Sequence, residues 1–465
     1  MSQIVLSAKA GRDRQDVLMA SRKRSHRLRE PATVVIEAMS HEGRGIAHIN
    51  GKTVFVFGAL AGEEVKIQIR KSNRKYDEAV TLEVIKASEL RIMPKCAAFA
   101  VCGGCSLQHM SNDDQVQFKQ QSLLDSMQHA GVQVGAVLPA LRSKPWGYRK
   151  KARLGVKFVL KKDRLLVGFR ERNTPFIADM ARCEILTAEV GERLGELCAV
   201  IDGLDAKQTI PQIEMAADDD HIVLVFRHLE DLSAADREAL TLFAKSTGFW
   251  LQLQPAGPDS IVNLYPEQQV LRFAPLATED IRIDFSAVDF IQVNTEINQK
   301  MVAQALQLLD LKPTDKVLDL FCGLGNFTLP MARRCARVTG IEGDPAMVER
   351  ARKSAMENKI DNIEYHIADL TKPDLEPSWM SEQFNKVVID PPRCGAMEII
   401  RIIHRFKADK VIYISCQPSS LVRDSKILCD HGYKLDHLGV MDMFPQTAHV
   451  ESMAVFNLNK PVGPP

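Results

Sequence analysis

The 465-residue chain has no uninterrupted apolar run of 18 or more residues, which argues against a transmembrane helix and against a membrane partner. Its opening stretch, MSQIVLSAKAGRDRQDVLMASRKRSHRLRE, lacks the apolar core and small-residue cleavage site of a secretory leader. Without an export signal, the ten cysteines imply a reducing compartment, where thiols serve metals, catalysis or cores rather than disulfides. The expected location is the cytoplasm. There is no internal repeat and no low-complexity tract, and 60 Lys and Arg against 59 Asp and Glu leave a formal net charge of only +1. Any attraction for a polyanion must therefore be local.

Local asymmetry is present. Residues 1–30 carry eight Lys and Arg against three Asp and Glu and read as a flexible basic arm. KIQIRKSNRKY (66–76) is a second basic stretch, and LRSKPWGYRKKARLGV (141–156) mixes six cations with Trp146 and Tyr148. Cations interleaved with aromatics suit phosphate contact and base stacking, although each run alone also reads as a solvated face.

The length calls for two or three domains. Residues 31–88 hold short β-rich segments punctuated by Gly, Asn and Asp, and Asn50-Gly51 predicts a type I′ hairpin turn. A five-stranded, OB-like barrel is expected there, a common oligonucleotide platform. Residues 89–285 form a mixed α+β region with a cysteine-rich loop, a helical stretch near DDQVQFKQQSLLDSMQHAG and strands such as HIVLVFRHL and FWLQLQP. From 286 to about 460, KVLDLFCG, RVTGIEG, IEYHIADL, KVVIDPP and VIYISC alternate with helical segments, the pattern of an α/β, doubly wound parallel sheet.

Chemistry gathers at the ends of these strands. In VLDLFCGLGNFTLPMA, Gly323 and Gly325 let backbone approach a ligand closely. A plain dinucleotide turn gives the same look. Glu342, 17 positions after Gly325, ends the next strand where it could accept ribose hydroxyls, while Asp369 and Asp390 close the third and fourth. Acids closing successive strands, with neither a Walker lysine nor a full G-x-G-x-x-G, resemble the class I (Rossmann-like) S-adenosylmethionine-dependent methyltransferases. An acid-lined pocket also suits a cationic sulfonium better than a pyrophosphate.

Cys416 ends the fifth strand in VIYISCQPSSLVRD. A buried cysteine is often only a small hydrophobe, but a strand tip facing a methyl donor offers a nucleophile. C5 of a pyrimidine becomes nucleophilic once a thiolate adds to C6, and that demands a thiol whose pKa its surroundings lower. A base must then remove the C5 proton. Glu451, which opens the last strand pattern in MFPQTAHVESMAVF, is the candidate, with His449 two residues earlier able to share the role.

Together, DFIQVN (289–294), DLFCGLGNFTLP, VVIDPPRCG, YISCQPSSLVRD and DMFPQTAHVES closely resemble the RNA uracil-5-methyltransferases. The resemblance implies Cys416 as nucleophile, Glu451 as general base, and Gln292, Phe321, Asn326, Glu342, Asp369 and Asp390 as residues that bind S-adenosylmethionine. Asp390 could instead touch the uracil. Cys394 in DPPRCG resembles the extra cysteine of RNA cytosine-5-methyltransferases, but those enzymes place it directly after the proline, and here Arg393 intervenes.

PKCAAFAVCGGCSLQH sets Cys96, Cys102 and Cys105 in a C-x5-C-x2-C loop, with Cys183 downstream in DMARCEIL. Four thiolates suit zinc or an iron–sulfur cluster. Members of the family that act on 23S ribosomal RNA carry this cysteine pattern for a 4Fe-4S cluster, and residues 31–88 resemble a TRAM domain, an RNA-binding module. The resemblance therefore implies an N-terminal TRAM barrel, an iron–sulfur central domain and a class I catalytic domain in one chain. It implies methylation of C5 of a uridine in 23S ribosomal RNA, by a protein expected to be monomeric. Dual-site 23S and tRNA-directed relatives are the alternatives within the family, and an iron–sulfur redox protein is the alternative outside it.

Overall fold

The computed structural model describes residues 30–372 and 378–459; the basic arm apart from Glu30 lies outside them. The described residues divide into two compact units, one within residues 30–94 with 106–111 and one within 95–105 with 112–459.

The first unit is a sheet in the order Ala32–Val35, Glu64–Ser72, Tyr76–Lys86, Lys52–Phe57, Gly45–Ile49, Ala38–Met39. Its two edge segments are separated by only Ile36 and Glu37, which span no more than about 7 Å each side of a bend. The sheet must therefore roll until its edges meet. Ile36 N donates to Glu63 O and Glu37 N to Ile46 O, both at 2.8 Å, carrying the chain from one edge to the other. The expected five strands become six segments because this bend splits the first strand. Ile36, Val54, Val56, Val65 and Ile67 fill the interior. Asn50 and Gly51 both have positive φ, and Ile49 pairs with Lys52, as the Asn-Gly turn requires.

Glu63 is buried without exposure at the mouth of this barrel. It accepts from Leu60 N (2.8 Å), Ser88 N (3.1 Å) and the Arg91 guanidinium (Nη2, 2.7 Å). Burial alone would raise its pKa, but the Arg91 and backbone hydrogen bonds outweigh that and hold it below the usual carboxylate range. The stabilisation is thus present above the ordinary Glu pKa and is lost as pH falls through the depressed folded value. Glu63→Gln is expected to lower barrel stability by about 3 kcal/mol, the low end for breaking a buried pair. Hydrogen exchange of amides in residues 32–86 checks this.

The second unit holds two large sheets. The first runs Val262–Tyr265, Trp250–Gln254, Ile222–Arg227, Gln212–Ala217, Lys151–Val159, Arg164–Gly168, antiparallel except between Ile222–Arg227 and Trp250–Gln254. Before it comes α1 (Asn112–His129), and after it α2 (Thr295–Leu309).

The second sheet contains β1 (Lys316–Leu320), β2 (Arg337–Glu342), β3 (Ile363–Ile367), β4 (Lys386–Ile389), β5 (Lys410–Ser415), β6 (Tyr433–Met441) and β7 (Glu451–Leu458). Their order is β3-β2-β1-β4-β5-β7-β6, with Ala136–Val137 added beside β6. β1 to β5 are parallel, and β7 runs antiparallel between β5 and β6. The strands are apolar on both sides because both faces are covered. Val388, Ile412 and Ile414 pack with Ile297 and Met301 of α2. Val387, Val411 and Tyr413 pack on the other face with Val116 and Leu123 of α1 and Leu421 of α3 (Pro418–Asp430). The strand order reverses between β1 and β4, so the crevice for a ligand opens at the carboxyl ends of these strands. Among the described residues, no helix is long and apolar enough to cross a membrane.

Candidate active site

The glycine turn follows β1. Phe321, Gly323 and Gly325 all have positive φ, at 62°, 55° and 97°, and a Cβ on Gly325 would meet Leu329 Cδ1 at 2.3 Å. Glu342 at the end of β2 closes the turn: its Oε2 accepts from Gly323 N (3.1 Å), and its Oε1 from Gly343 N (2.7 Å) and Asp344 N (3.0 Å). Asn326 exchanges two 2.9 Å hydrogen bonds with Asn298 of α2, and Gln292 lies half-buried two residues before the α2 cap, Asn294. Asp369, two residues past β3, is exposed and accepts from Thr371 Oγ1 (2.6 Å) and N (2.9 Å). Those bonds hold its carboxyl below the ordinary range. Asp390 follows β4, its N–H reaching Leu320 O at 3.3 Å beside the turn.

One acid escaped the reading of the sequence. Asp319 in β1 is 1 % exposed and accepts from Thr328 Oγ1. Burial pushes it up to about 7 against that hydrogen bond, with the Asp390 and Glu342 charges adding to the rise. The signal was a lone Asp within an apolar strand. Burial likewise pushes Asp390 up to about 7.

The two residues expected as nucleophile and base come together through strand register. β5 and β7 pair antiparallel, with Ser415 opposite Ser452. Cys416 follows Ser415 and Glu451 precedes Ser452, so the two come together at this end of the sheet, where the Glu451 charge acts on the Cys416 thiol. Glu451 is 6 % exposed and is pushed up to about 8, first by burial and then by Asp390, while Arg393 and Lys119 pull it down. Cys416 is half-buried. The expectation that its surroundings lower its pKa is corrected here. The protein's own groups push the thiol up to about 11, by burial and then by Glu451 and Asp390, with Arg393 opposing. Acids suited to a cation disfavour a thiolate nearby. Cys394 is exposed on the loop after Asp390.

The four remaining candidate cysteines share a neighbourhood. Cys102, Cys105 and Cys183 are buried and Cys96 is partly so. Burial raises Cys102 and pushes Cys183 up to about 11, and the charge of Cys96 acts on both. Arg172 Nη2 donates to the carbonyls of Cys102 and Cys105, the latter at 2.5 Å. Among the described residues, no group of three His, Cys, Asp or Glu is placed to hold a metal ion.

A glycine turn after β1, an acid closing β2, further acids at β3 and β4, and the order β3-β2-β1-β4-β5-β7-β6 define a class I S-adenosylmethionine-dependent methyltransferase. More narrowly, the chain belongs to the tRNA (Uracil-5-)-methyltransferase family, whose model matches residues 115–459. A TRAM domain matches residues 28–82. The chain is 46 % identical over 441 residues to the 23S rRNA (uracil(1939)-C(5))-methyltransferase RlmD of Xanthomonas campestris pv. campestris (strain 8004), covering 94 % of this chain and 99 % of that one. It is 47 % identical over 438 residues to the RlmD of Alkalilimnicola ehrlichii, covering 94 % and 98 %. Among solved structures, the Pyrococcus abyssi tRNA (uracil-54, C5)-methyltransferase in complex with S-adenosyl-L-homocysteine shares the fold, with a TM-score of 0.69, 23 % identity, and 91 % and 100 % coverage.

Gly325→Ala puts a side chain on a left-handed residue, at a strain of about 1–3 kcal/mol. Affinity for S-adenosylmethionine is expected to fall about tenfold or more, as isothermal titration calorimetry would measure.

Proposed function

We propose that this protein methylates C5 of a uridine in 23S ribosomal RNA. The observation that carries the reading is the register of β5 against β7, which faces Cys416 with Glu451 beside the acids of the glycine-turn crevice. The names and extent of the 46–47 % identical relatives support the 23S substrate.

Gln292, Phe321, Asn326, Glu342, Asp369 and Asp390 hold S-adenosylmethionine, which supplies the methyl group as an electrophile. Cys416 adds its sulfur to C6 of the uracil, and the electron pair of the C5–C6 bond becomes available at C5 for methylation. Glu451 then takes the C5 proton, C5–C6 re-forms its double bond and the S–C6 bond breaks, returning the thiolate. Two features favour that thiolate despite the acids around it. Cys416 lies just before the amino end of the 13-residue helix α3, where the helix dipole favours negative charge. Arg393 adds a cation. Reaching a half-buried sulfur requires the base to leave its stack.

The reading extends to a 4Fe-4S cluster on Cys96, Cys102, Cys105 and Cys183. Backbone amides at two of the sulfurs support this: Gly104 N donates to Cys102 Sγ at 3.4 Å, and the backbone of Ile185 and Leu186 bonds the Cys183 sulfur, in keeping with amides that tune cluster sulfurs. The four cysteine thiolates would hold the cluster when it is bound. Its role is structural or RNA-docking. Residues 31–88 bind RNA as the TRAM domain, followed by a central domain to 285 and a catalytic domain from 286, in a monomeric cytoplasmic enzyme.

Incubation with labelled methyl donor and unmodified 23S RNA, followed by mapping, is expected to place label at C5 of a uridine. Label in cytidine, in tRNA only, or nowhere overturns the reading. Cys416→Ala is expected to abolish transfer, and Glu451→Gln to trap a covalent RNA adduct visible on a denaturing gel. Anaerobically purified protein is expected to be brown with iron and sulfide; stoichiometric zinc without iron would sink the cluster.

A further inference from the structure

The segment that leads into the base is gripped by residues from far upstream. Lys119 of α1 donates to Asp442 Oδ1 at 2.6 Å and to Phe444 O at 3.1 Å. Gln115, one turn earlier, exchanges hydrogen bonds with Gln446: Nε2 to Oε1 at 3.0 Å, and Gln446 N to Gln115 Oε1 at 2.9 Å. Tyr148 Oη donates to Pro445 O at 3.0 Å. Asp442 directly follows Met441, the residue paired with Glu451 across β6 and β7.

The Lys119–Asp442 pair is an unusual way to hold a loop. Both side chains are buried, at 1 % and 0 % exposure, and Asp442 Oδ2 has no hydrogen-bond partner among the described residues. A buried ion pair is seldom more stabilising than apolar side chains of the same volume. Burial works against the charge of Lys119, while Asp442 and then Glu451 favour it, and that charge in turn acts on Glu451 and His449.

We propose that Lys119 is a positioning residue for the general base: paired with Asp442, it holds the 442–446 segment against α1 and places a cation where it favours the charged form of Glu451. The inference rests on Glu451 acting as the base. Other charges face Glu451 as well. Asp390 and Arg393 come from the loop after β4, and Cys416 from the end of β5. Asp442 and His449 lie on the segment before it, and Arg149 acts on His449. Lys119 and Arg393 both lower the carboxyl, and of the two Lys119 is the buried one. Because the cation stabilises the charged form, removing it raises the Glu451 pKa.

The test is the pH dependence of tritium release from RNA carrying 5-tritiated uridine, which reports removal of the C5 proton. In the unaltered protein the rate is expected to rise with pH to a midpoint near 8. Lys119→Gln, which can still donate to Asp442 and Phe444 O, is expected to move that midpoint up by about one pH unit, roughly a tenfold loss of rate below it. Adding Asp442→Asn, which removes the stranded anion, is expected to bring the midpoint part of the way back. Lys119→Met carries the same expectation should Lys119→Gln fail to fold, with S-adenosylmethionine binding as the check on folding. An unmoved midpoint, or an equal loss at every pH, would mean that Lys119 serves packing alone and overturns the inference. If Glu451→Gln traps no adduct, the reading of the base itself fails. A trapped adduct with an unmoved midpoint removes only the role of Lys119.

Discussion

The antiparallel insertion of β7 between β5 and β6 is the constraint on which the site depends. Had the last strand joined the sheet in parallel at its edge, Glu451 at its amino end would lie at the opposite rim from Cys416. Reversed and inserted, β7 begins where β5 ends. Because the side-chain period of a strand is two, a slip of one residue would turn every side chain to the other face. The apolar faces of β7, with Met453 and Val455 on one side and Ala454 and Phe456 on the other, resist that slip through separate cores.

That geometry carries an electrostatic cost. Asp319, Asp390 and Glu451 are each held well above their ordinary pKa values, chiefly by burial, with the Asp390 charge adding to the rise of the other two. The same crowding pushes the Cys416 thiol up. A cleft made attractive to a sulfonium is thus unfavourable to the thiolate, and the opposing influences are few: Arg393, the start of α3, and for Glu451 the buried cation of Lys119. With Asp390 near 7 and Glu451 near 8, protons on these two groups relieve part of the repulsion around Cys416.

α1 ties the cysteine-bearing region to this chemistry. It starts seven residues after Cys105 and packs on the catalytic sheet, where Gln115 and Lys119 meet the 442–446 segment. Tyr148 lies between the two regions: it feels the charges of Cys105, Cys183 and Asp442 and donates to Pro445 O.

By itself the sequence determined the kinds of element and the chemistry at their ends. Apolar runs alternating with helical segments named the parallel sheet, Asn50-Gly51 named a hairpin, and Glu342, Asp369, Asp390 and Cys416 were legible because strand ends are marked by where an apolar run stops. These are local properties, set by backbone sterics and side-chain period. Only the tertiary structure decided the rest. The bend at Ile36 and Glu37, the place of β7, the burial of Asp319 and the direction of the Cys416 shift depend on neighbours distant in sequence. Lys119 is the clearest case. In DDQVQFKQQSLL it reads as one more solvated helix cation, and nothing local announces that the residue it meets lies 323 positions away. Burial and charge are properties of the assembled surroundings, so what a lysine or a thiol does there is settled by packing.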